Sequence, residues 1–382
     1  MENYLSTRKK ELCNGCGTCA LKCPKNAISM KEDEEGFLYP IINKSKCINC
    51  KLCEKVCSNI NDSNYNSEAY IAINNSLDEL KISSSGGIFY ILAKYTIENN
   101  GVVFGVTYDE KIDAIHEYAT TLEECKKFCG SKYVRSNLEN TYIEAKEFLD
   151  NGKLVLYTGT ACQLSGLKKF LGKEYNNLLL CDILCHANPS PKVFNLYKRN
   201  VEKIYNKKIK EIKFRSKVTG WKNQTPIIEF EDGEKVEENT YFNAFVKEMI
   251  NRLSCYSCVF ASKYRVSDFT IADFWGIEKI DENINTYNGV SLLLVNSKKG
   301  KILLEYLSKK AFLKNIDINK ILKYNHFSNV PIHRNRKKFF KGIENNIIDE
   351  NNIIYYMNKY TKDTSLLRIK RRLKKILKMS NK

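Results

Sequence analysis

The residues of this chain best placed to do chemistry are its fifteen cysteines. Eight of them fall in two runs of one pattern: Cys13, Cys16, Cys19 and Cys23 with Pro24 behind, then Cys47, Cys50, Cys53 and Cys57 with Ser58 behind. Closely spaced thiolates wrap three corners of an iron–sulfur cubane, and a fourth cysteine carried off by the following turn reaches the neighbouring cubane. Cys13, Cys16, Cys19 and Cys57 are therefore expected to hold one [4Fe–4S] cluster, and Cys47, Cys50, Cys53 and Cys23 a second. The alternative, a zinc site, pairs two Cys-x2-Cys hairpins and has no use for a further cysteine in both runs. The expected chemistry is one-electron transfer.

The rest of the chain must position and insulate those centres. At 382 residues it has ample length for two or three domains. Hydrophobic residues at 43% and charged ones at 28% argue against a wholly disordered polypeptide. No apolar run reaches the ~20 residues of a membrane helix, and the first residues do not read as a signal peptide. An odd number of thiols without an export signal suits metal ligation in a reducing compartment, so a cytoplasmic location is expected.

The net charge of +18 is concentrated at the C-terminal end, where residues 334–382 carry fifteen basic and four acidic side chains. Ile369, Leu373, Ile376 and Leu377 fall on one helical stripe with cations opposite. A solvated helix docked on its own domain and a helix lying on an anionic membrane surface both fit, the latter implying peripheral contact at the inner membrane face. Nucleic-acid binding is not expected, because no basic–aromatic platform accompanies the charge.

Four regions emerge: a cysteine-rich head at 1–60, an α/β stretch at 68–150, a second at 151–330, and a basic tail with an amphipathic helix at 331–382. Strands are expected at Tyr70–Ile73, Gly101–Tyr108, Lys153–Tyr157, Asn177–Leu184, Ile209–Phe214, Pro226–Phe230, Phe269–Ala272 and Val290–Val295. Helices alternate with them at Gly87–Glu98, Leu122–Phe128, Tyr142–Leu149, Leu164–Leu171, after Ser190-Pro191, and at Ile302–Leu307. The expected fold is α+β or α/β: a dicluster ferredoxin-like domain, then a mixed α/β domain, then a basic helix.

Seven cysteines lie beyond the head. Cys255-x2-Cys258 is a metal-ligand pair, and Cys162 and Cys185 sit where strands give way to turns, so a further buried cubane is one reading and small buried hydrophobes the other. Six motifs follow in order. Ser84-Ser85-Gly86-Gly87-Ile88-Phe89 is first, then Gly130-Ser131-Lys132-Tyr133-Val134, then Gly159-Thr160-Ala161-Cys162-Gln163-Leu164-Ser165-Gly166-Leu167. Next are Cys181-Asp182-Ile183-Leu184-Cys185-His186 and Cys255-Tyr256-Ser257-Cys258. The last runs from Arg265 to Gly276 and contains Ala272-Asp273-Phe274-Trp275.

Together they resemble the coenzyme F420 hydrogenase/dehydrogenase beta-subunit family, in its version with a fused N-terminal dicluster ferredoxin. The resemblance covers roughly residues 10–300. It implies an iron–sulfur flavoprotein oxidoreductase that passes electrons between its clusters and FAD, and on to a deazaflavin-like or other organic two-electron acceptor. By position, Cys162, Cys185, Cys255 and Cys258 match the family's cluster ligands. Ser85, Gly86 and Gly87 match its flavin-contacting turn, Lys132 and Tyr133 lie in its second signature, and Asp273 falls among its flavin or substrate contacts.

A Ser-Ser-Gly-Gly turn opening a helix offers bare N–H groups to a pyrophosphate, though a plain helix start would look the same. The chain has Ala161, Ala187 and Ala272 where the family carries Pro, Gly and Gly, which alters the turns but no ligand. Cys125, Cys129 and Cys181 match no ligand and read as packing residues. His116, His326 and His333 have no motif around them, and His186, beside Cys185, is placed to hydrogen-bond near the cluster or flavin. A redox partner protein or ferredoxin is expected. Two other readings stay open: a non-catalytic electron-transfer subunit of a larger complex, and a redox protein linked to surface-polysaccharide biosynthesis.

Overall fold

The computed structural model describes residues 5, 8–61, 63, 65–218, 220–223 and 225–362. The head opens with two short helical turns, Thr18–Leu21 and Leu52–Lys55, and a hairpin of β1 (Ile28–Glu32) and β2 (Leu38–Ile42). The 34-residue period of the cysteine runs is also a period of backbone shape. Gly15 and Gly17 take φ of 68° and 79°, and their counterparts Asn49 and Lys51 take 53° and 60°. Glycine adopts this left-handed region freely, asparagine tolerates it, and lysine does so only under constraint. Each left-handed residue turns the chain so that successive thiols face inward.

Behind the head, eight strands form one mixed sheet. They are β3 (Glu68–Asn74), β4 (Val102–Tyr108), β5 (Ala114–Ala119), β6 (Val155–Thr160), β7 (Leu178–Ile183), β11 (Phe269–Asp273), β12 (Ser291–Val295) and β13 (Ala311–Ile316). Their spatial order is β13-β3-β12-β11-β7-β6-β4-β5. The central four, β11, β7, β6 and β4, run parallel, and the outer strands are antiparallel. Parallel strands are covered on both faces and read as unbroken apolar runs. Leu178-Leu179-Leu180-Cys181 obeys this, and β12 is buried from end to end. Burying each leucine of such a strand contributes roughly 1.5–3 kcal/mol.

A separate antiparallel sheet is made of β8 (Ile209–Ser216), β9 (Thr225–Phe230) and β10 (Lys235–Glu237). The longer helices are α1 (Ile88–Glu98), α2 (Thr141–Asp150), α3 (Ala161–Leu171), α4 (Pro191–Tyr205), α5 (Thr240–Val246), α6 (Lys298–Lys310), α7 (Arg336–Glu344) and α8 (Ile353–Thr361).

Three expectations change. The strand expected to end at Tyr157 continues through Thr160, because Thr158, Gly159 and Thr160 pair with Cys181, Asp182 and Ile183 of β7. The boundary at 150/151 does not divide the sheet, since strands from both sides of it interleave. The expected basic tail is folded as far as residue 362: α7 and α8 bury Phe339, Phe340, Ile353 and Met357 in one core with Phe37 and Tyr39 of the head hairpin. The amphipathic stripe Ile369–Leu377 lies outside the described residues.

Candidate functional site

The first thiol set sits where the head meets α3. Cys19 is raised by burial and then by its neighbours Cys16, Cys13, Cys57 and Cys53, so the expected four ligands surround one point. Ser58 Oγ lies 3.0 Å from Cys16 Sγ, and Arg8 Nη1 2.6 Å from Cys57 Sγ. The dock is tight. Thr18 Oγ1 donates to the Gly166 carbonyl at 2.9 Å, Ser165 Oγ to the Ser58 carbonyl at 3.1 Å, and a Cβ on Gly166 would meet Cys16 Cβ at 2.8 Å.

The second set lies farther out. Cys23, Cys47, Cys50 and Cys53 line one small cavity, and Cys50 is exposed.

The third set gathers from separate segments. Cys162 is the second residue of α3, Cys185 follows β7, and Cys255 and Cys258 flank the end of a turn at Leu253–Ser257. Burial raises Cys185 well above its ordinary value and Cys255 to about 12, with each of the two then raised by nearby Cys162 and Cys258. Burial also raises Cys258, followed by Cys162. Four thiols thus share one pocket. Cys255 Sγ accepts the Asn188 N–H at 3.3 Å, and Cys162 Sγ lies 3.1 Å from Thr160 Oγ1. Among the described residues no three His, Cys, Asp or Glu side chains are arranged to hold a single metal ion. A four-iron cubane holds its thiolates farther apart than one tetrahedral ion does, so wide-set all-sulfur donors fit the cluster and not zinc.

Next to the third set, at the carboxyl ends of β6, β7 and β11, opens a cavity of about 600 Å³. This is where open sheets with parallel strands bind ligands, and the size suits a cofactor. Cys185 and His186 line it on one side, Ser84, Ser85, Gly87 and Ser131 on another, and Tyr133, Phe242, Phe245 and Trp275 supply aromatic walls. Thr158, Gly159 and Thr160 form its floor only because β6 continues past Tyr157.

The site residues expected from sequence divide by what they do. Ser85 and Gly87 line the cavity at the start of α1, whose N-terminus has no side-chain cap. Gly86 does not reach the cavity. Its N–H donates to Ser291 Oγ at 2.9 Å, and a Cβ there would run into the Ala72 carbonyl, so its role is close packing against β3 and β12. Lys132 reaches the lining, but its ammonium folds back on its own loop, donating to the Lys127 and Cys129 carbonyls at 2.7 Å. Burial lowers it to about 8. Tyr133 packs between Phe214 and Phe245. Asp273 is paired with Arg215 and accepts from Trp221 Nε1 at 2.9 Å, and Trp221 stacks on Trp275 at 5.2 Å.

Several site residues had no sequence signal. Arg215, Trp221 and Asn188 arrive from segments without motifs. His326, read as incidental, lines the cavity and meets His186, Nδ1 to Nδ1, at 3.2 Å, while His186 Nε2 reaches Glu248 at 2.6 Å. Cys181 and Cys129, read as packing residues, also border the cavity, whereas Cys125 is buried in the core.

Two thiol sets wrapped by the repeated runs, with a third beside a cavity, define an iron–sulfur electron-transfer protein. Residues 12–59 are a 4Fe-4S dicluster domain, and through residues 152–321 the chain belongs to the family described as the C terminus of the coenzyme F420 hydrogenase/dehydrogenase beta subunit. No curated protein matches it. Among solved structures it is similar to a chain of the F420-reducing [NiFe] hydrogenase complex from Methanosarcina barkeri. That likeness has 17% identity and a TM-score of 0.45, and covers 76% of this chain and 92% of the other.

Proposed function

We propose that the chain is an iron–sulfur flavoprotein oxidoreductase that links ferredoxin-type clusters to an organic two-electron acceptor through FAD. The observation that carries this reading is the position of Cys185, which belongs both to the third thiol set and to the wall of the 600 Å³ cavity. An electron leaving the first thiol set has the dock of Cys16 on α3 before it, and α3 carries Cys162. The order second set, first set, third set, cavity therefore runs from the surface inward.

The cavity's residues suit FAD. The uncapped start of α1 with Ser85 and Gly87 would seat the diphosphate, as helix N-termini do for anions. Tyr133, Phe242, Phe245 and Trp275 would flank ring systems and keep water out. When bound, FAD would supply the exchange between one-electron and hydride chemistry. The protein's part is placement. Lys217 ties the Leu80, Ser85 and Asn288 carbonyls together at 2.6–2.8 Å and so fixes the diphosphate corner. The Asp273–Arg215 pair holds Trp275 through stacking and cation–π contact. His186 and His326 are within reach of a proton at the cavity wall beside Cys185.

The test is iron, acid-labile sulfide and flavin per chain after anaerobic purification. About twelve iron atoms and one flavin are expected for three cubanes. About eight iron atoms without flavin, after reconstitution, would overturn the reading. Turnover of a soluble acceptor by the isolated chain separates an enzyme from a purely electron-transferring subunit.

A further inference from the structure

The second thiol set is the one open to solvent, and its surroundings carry unspent charge. Lys25 and Lys51 line the cavity of Cys23, Cys47, Cys50 and Cys53, and Lys44, Lys46 and Lys55 lie in the flanking segments. All five are exposed, and none has an acidic partner among the described residues. Residues 43–55 contain four lysines and a single acidic residue, Glu54. The head's other acids are engaged elsewhere, Asp33 with Lys10 and Glu35 with Arg336. Between Cys47 and Cys50, Ile48 is 58% exposed, an apolar contact within a cationic surround.

A solvated lysine face is ordinary. Here it coincides with the only exposed thiol of the two N-terminal sets, which is where an electron must cross the protein surface. We propose that this face docks a small acidic one-electron carrier protein of the ferredoxin class. The inference rests on the cluster reading above and adds the partner's chemistry to it. Opposite charges speed encounter and orient it, while a small patch lets the partner leave again. Lysine suits this role, since its strongly hydrated ammonium attracts at a distance without locking into a bidentate pair. Each encounter moves one electron. The carrier and the cluster held by Cys23, Cys47, Cys50 and Cys53 change oxidation state by one in opposite senses, and no bond or proton is exchanged.

The test is anaerobic stopped-flow reduction of the full-length holoprotein by a reduced acidic ferredoxin, followed by cluster absorbance. Photochemical reduction, which needs no docking, runs beside it. The second-order rate constant is expected to fall about tenfold or more from low to high salt. K44E/K55E, which leaves every thiol and its immediate neighbours in place, is expected to lower it similarly at low salt. The matched charge change K309E/K310E, on α6, should leave it unaltered. Photochemical reduction should proceed equally in all three proteins. A rate that ignores salt, or that K44E/K55E leaves at the wild-type value, would overturn the docking proposal while the clusters still reduce. Wild-type protein that shows no photoreducible cluster absorbance would overturn the cluster reading and the docking face with it.

Discussion

Arg135 Nη1 stands 3.5 Å from Cys162 Sγ, and its Nη2 donates to the Gly15 carbonyl at 3.2 Å. One partly buried guanidinium thus touches a ligand of the third thiol set and the loop that wraps the first. Arg252 repeats the link from the other side, with Nε on the Cys13 carbonyl at 2.8 Å and its charge close to Cys255. A Cβ on Gly15 would meet the Arg252 guanidinium at 3.0 Å, so the run against the body needs glycine where the outer run has Asn49.

From this geometry, Arg135→Gln is expected to make the third cluster harder to reduce. A cation beside the cluster stabilises its reduced, more negative state, and removing it at an effective dielectric of ~20 should lower the potential by on the order of 50 mV. Arg135→Lys keeps the charge but gives up the fork, and should recover part of the shift. Redox titration followed by electron paramagnetic resonance measures both. An unchanged potential in Arg135→Gln would show that the arginine only fastens the head.

The contacts that join the centres were the least legible part in the sequence. The cysteine runs are local, and a period of 34 residues over one short segment announces them without any tertiary knowledge. Arg135, Asn188, Arg252 and His326 carry no such mark, because the sheet order brings them in from four separate stretches. The fold was legible where periodicity was strong, as in β4, β7 and α4. It was hidden where a partner decides the conformation. Thr158–Thr160 extends β6 only because β7 lies alongside, and β13 looks like the tail of α6 until β3 pairs with it. The charge of residues 334–362 masked Phe339, Phe340 and Met357, whose spacing suits a buried helical stripe.

Cys258→Ser should separate the third cluster from the other two. The change leaves the head untouched, so iron is expected to drop from about twelve to about eight atoms per chain. The ferredoxin-type signals should survive, and electrons should no longer reach the cavity. Retention of all the iron would mean that Cys258 is no ligand.

Gly86 and Gly130 make a contrast of packing against backbone freedom. Gly86→Ala would push a methyl into the Ala72 carbonyl and within 2.6 Å of the Ser291 nitrogen, both in strands that cannot give way. A loss of about 1–3 kcal/mol or more is expected, with displacement of the Ser85–Gly87 corner and weakened flavin retention. Gly130 has φ of +81° but nothing within 4 Å of its would-be Cβ. Gly130→Ala should cost only about 1 kcal/mol of backbone strain. Urea midpoints of the two variants, measured with flavin content, test the order, and equal losses would contradict it.

His116 lies behind the cavity floor, where Nε2 meets the Thr158 carbonyl at 3.1 Å and Nδ1 meets Ser136 Oγ at 2.9 Å. Gln163 Nε2 donates to the same Ser136 oxygen, so the hydroxyl proton points at Nδ1 and the ring serves as a neutral donor–acceptor. Burial lowers its pKa from 6.5 to about 4. Between those values the unfolded chain binds a proton that the folded chain refuses. Stability must therefore fall as pH drops through 6.5 toward 4, by about 3 kcal/mol in all, and be fully present above 6.5. His116→Gln removes the titrating ring while keeping a donor for Thr158. The variant is expected to be less stable at pH 7.5, yet to lose less than the wild type on acidification. His326, lowered to about 4 as well, contributes to both proteins equally and cancels in the comparison. Urea unfolding of the two at pH 7.5 and 4.5 gives the difference, and parallel losses would place the acid sensitivity elsewhere.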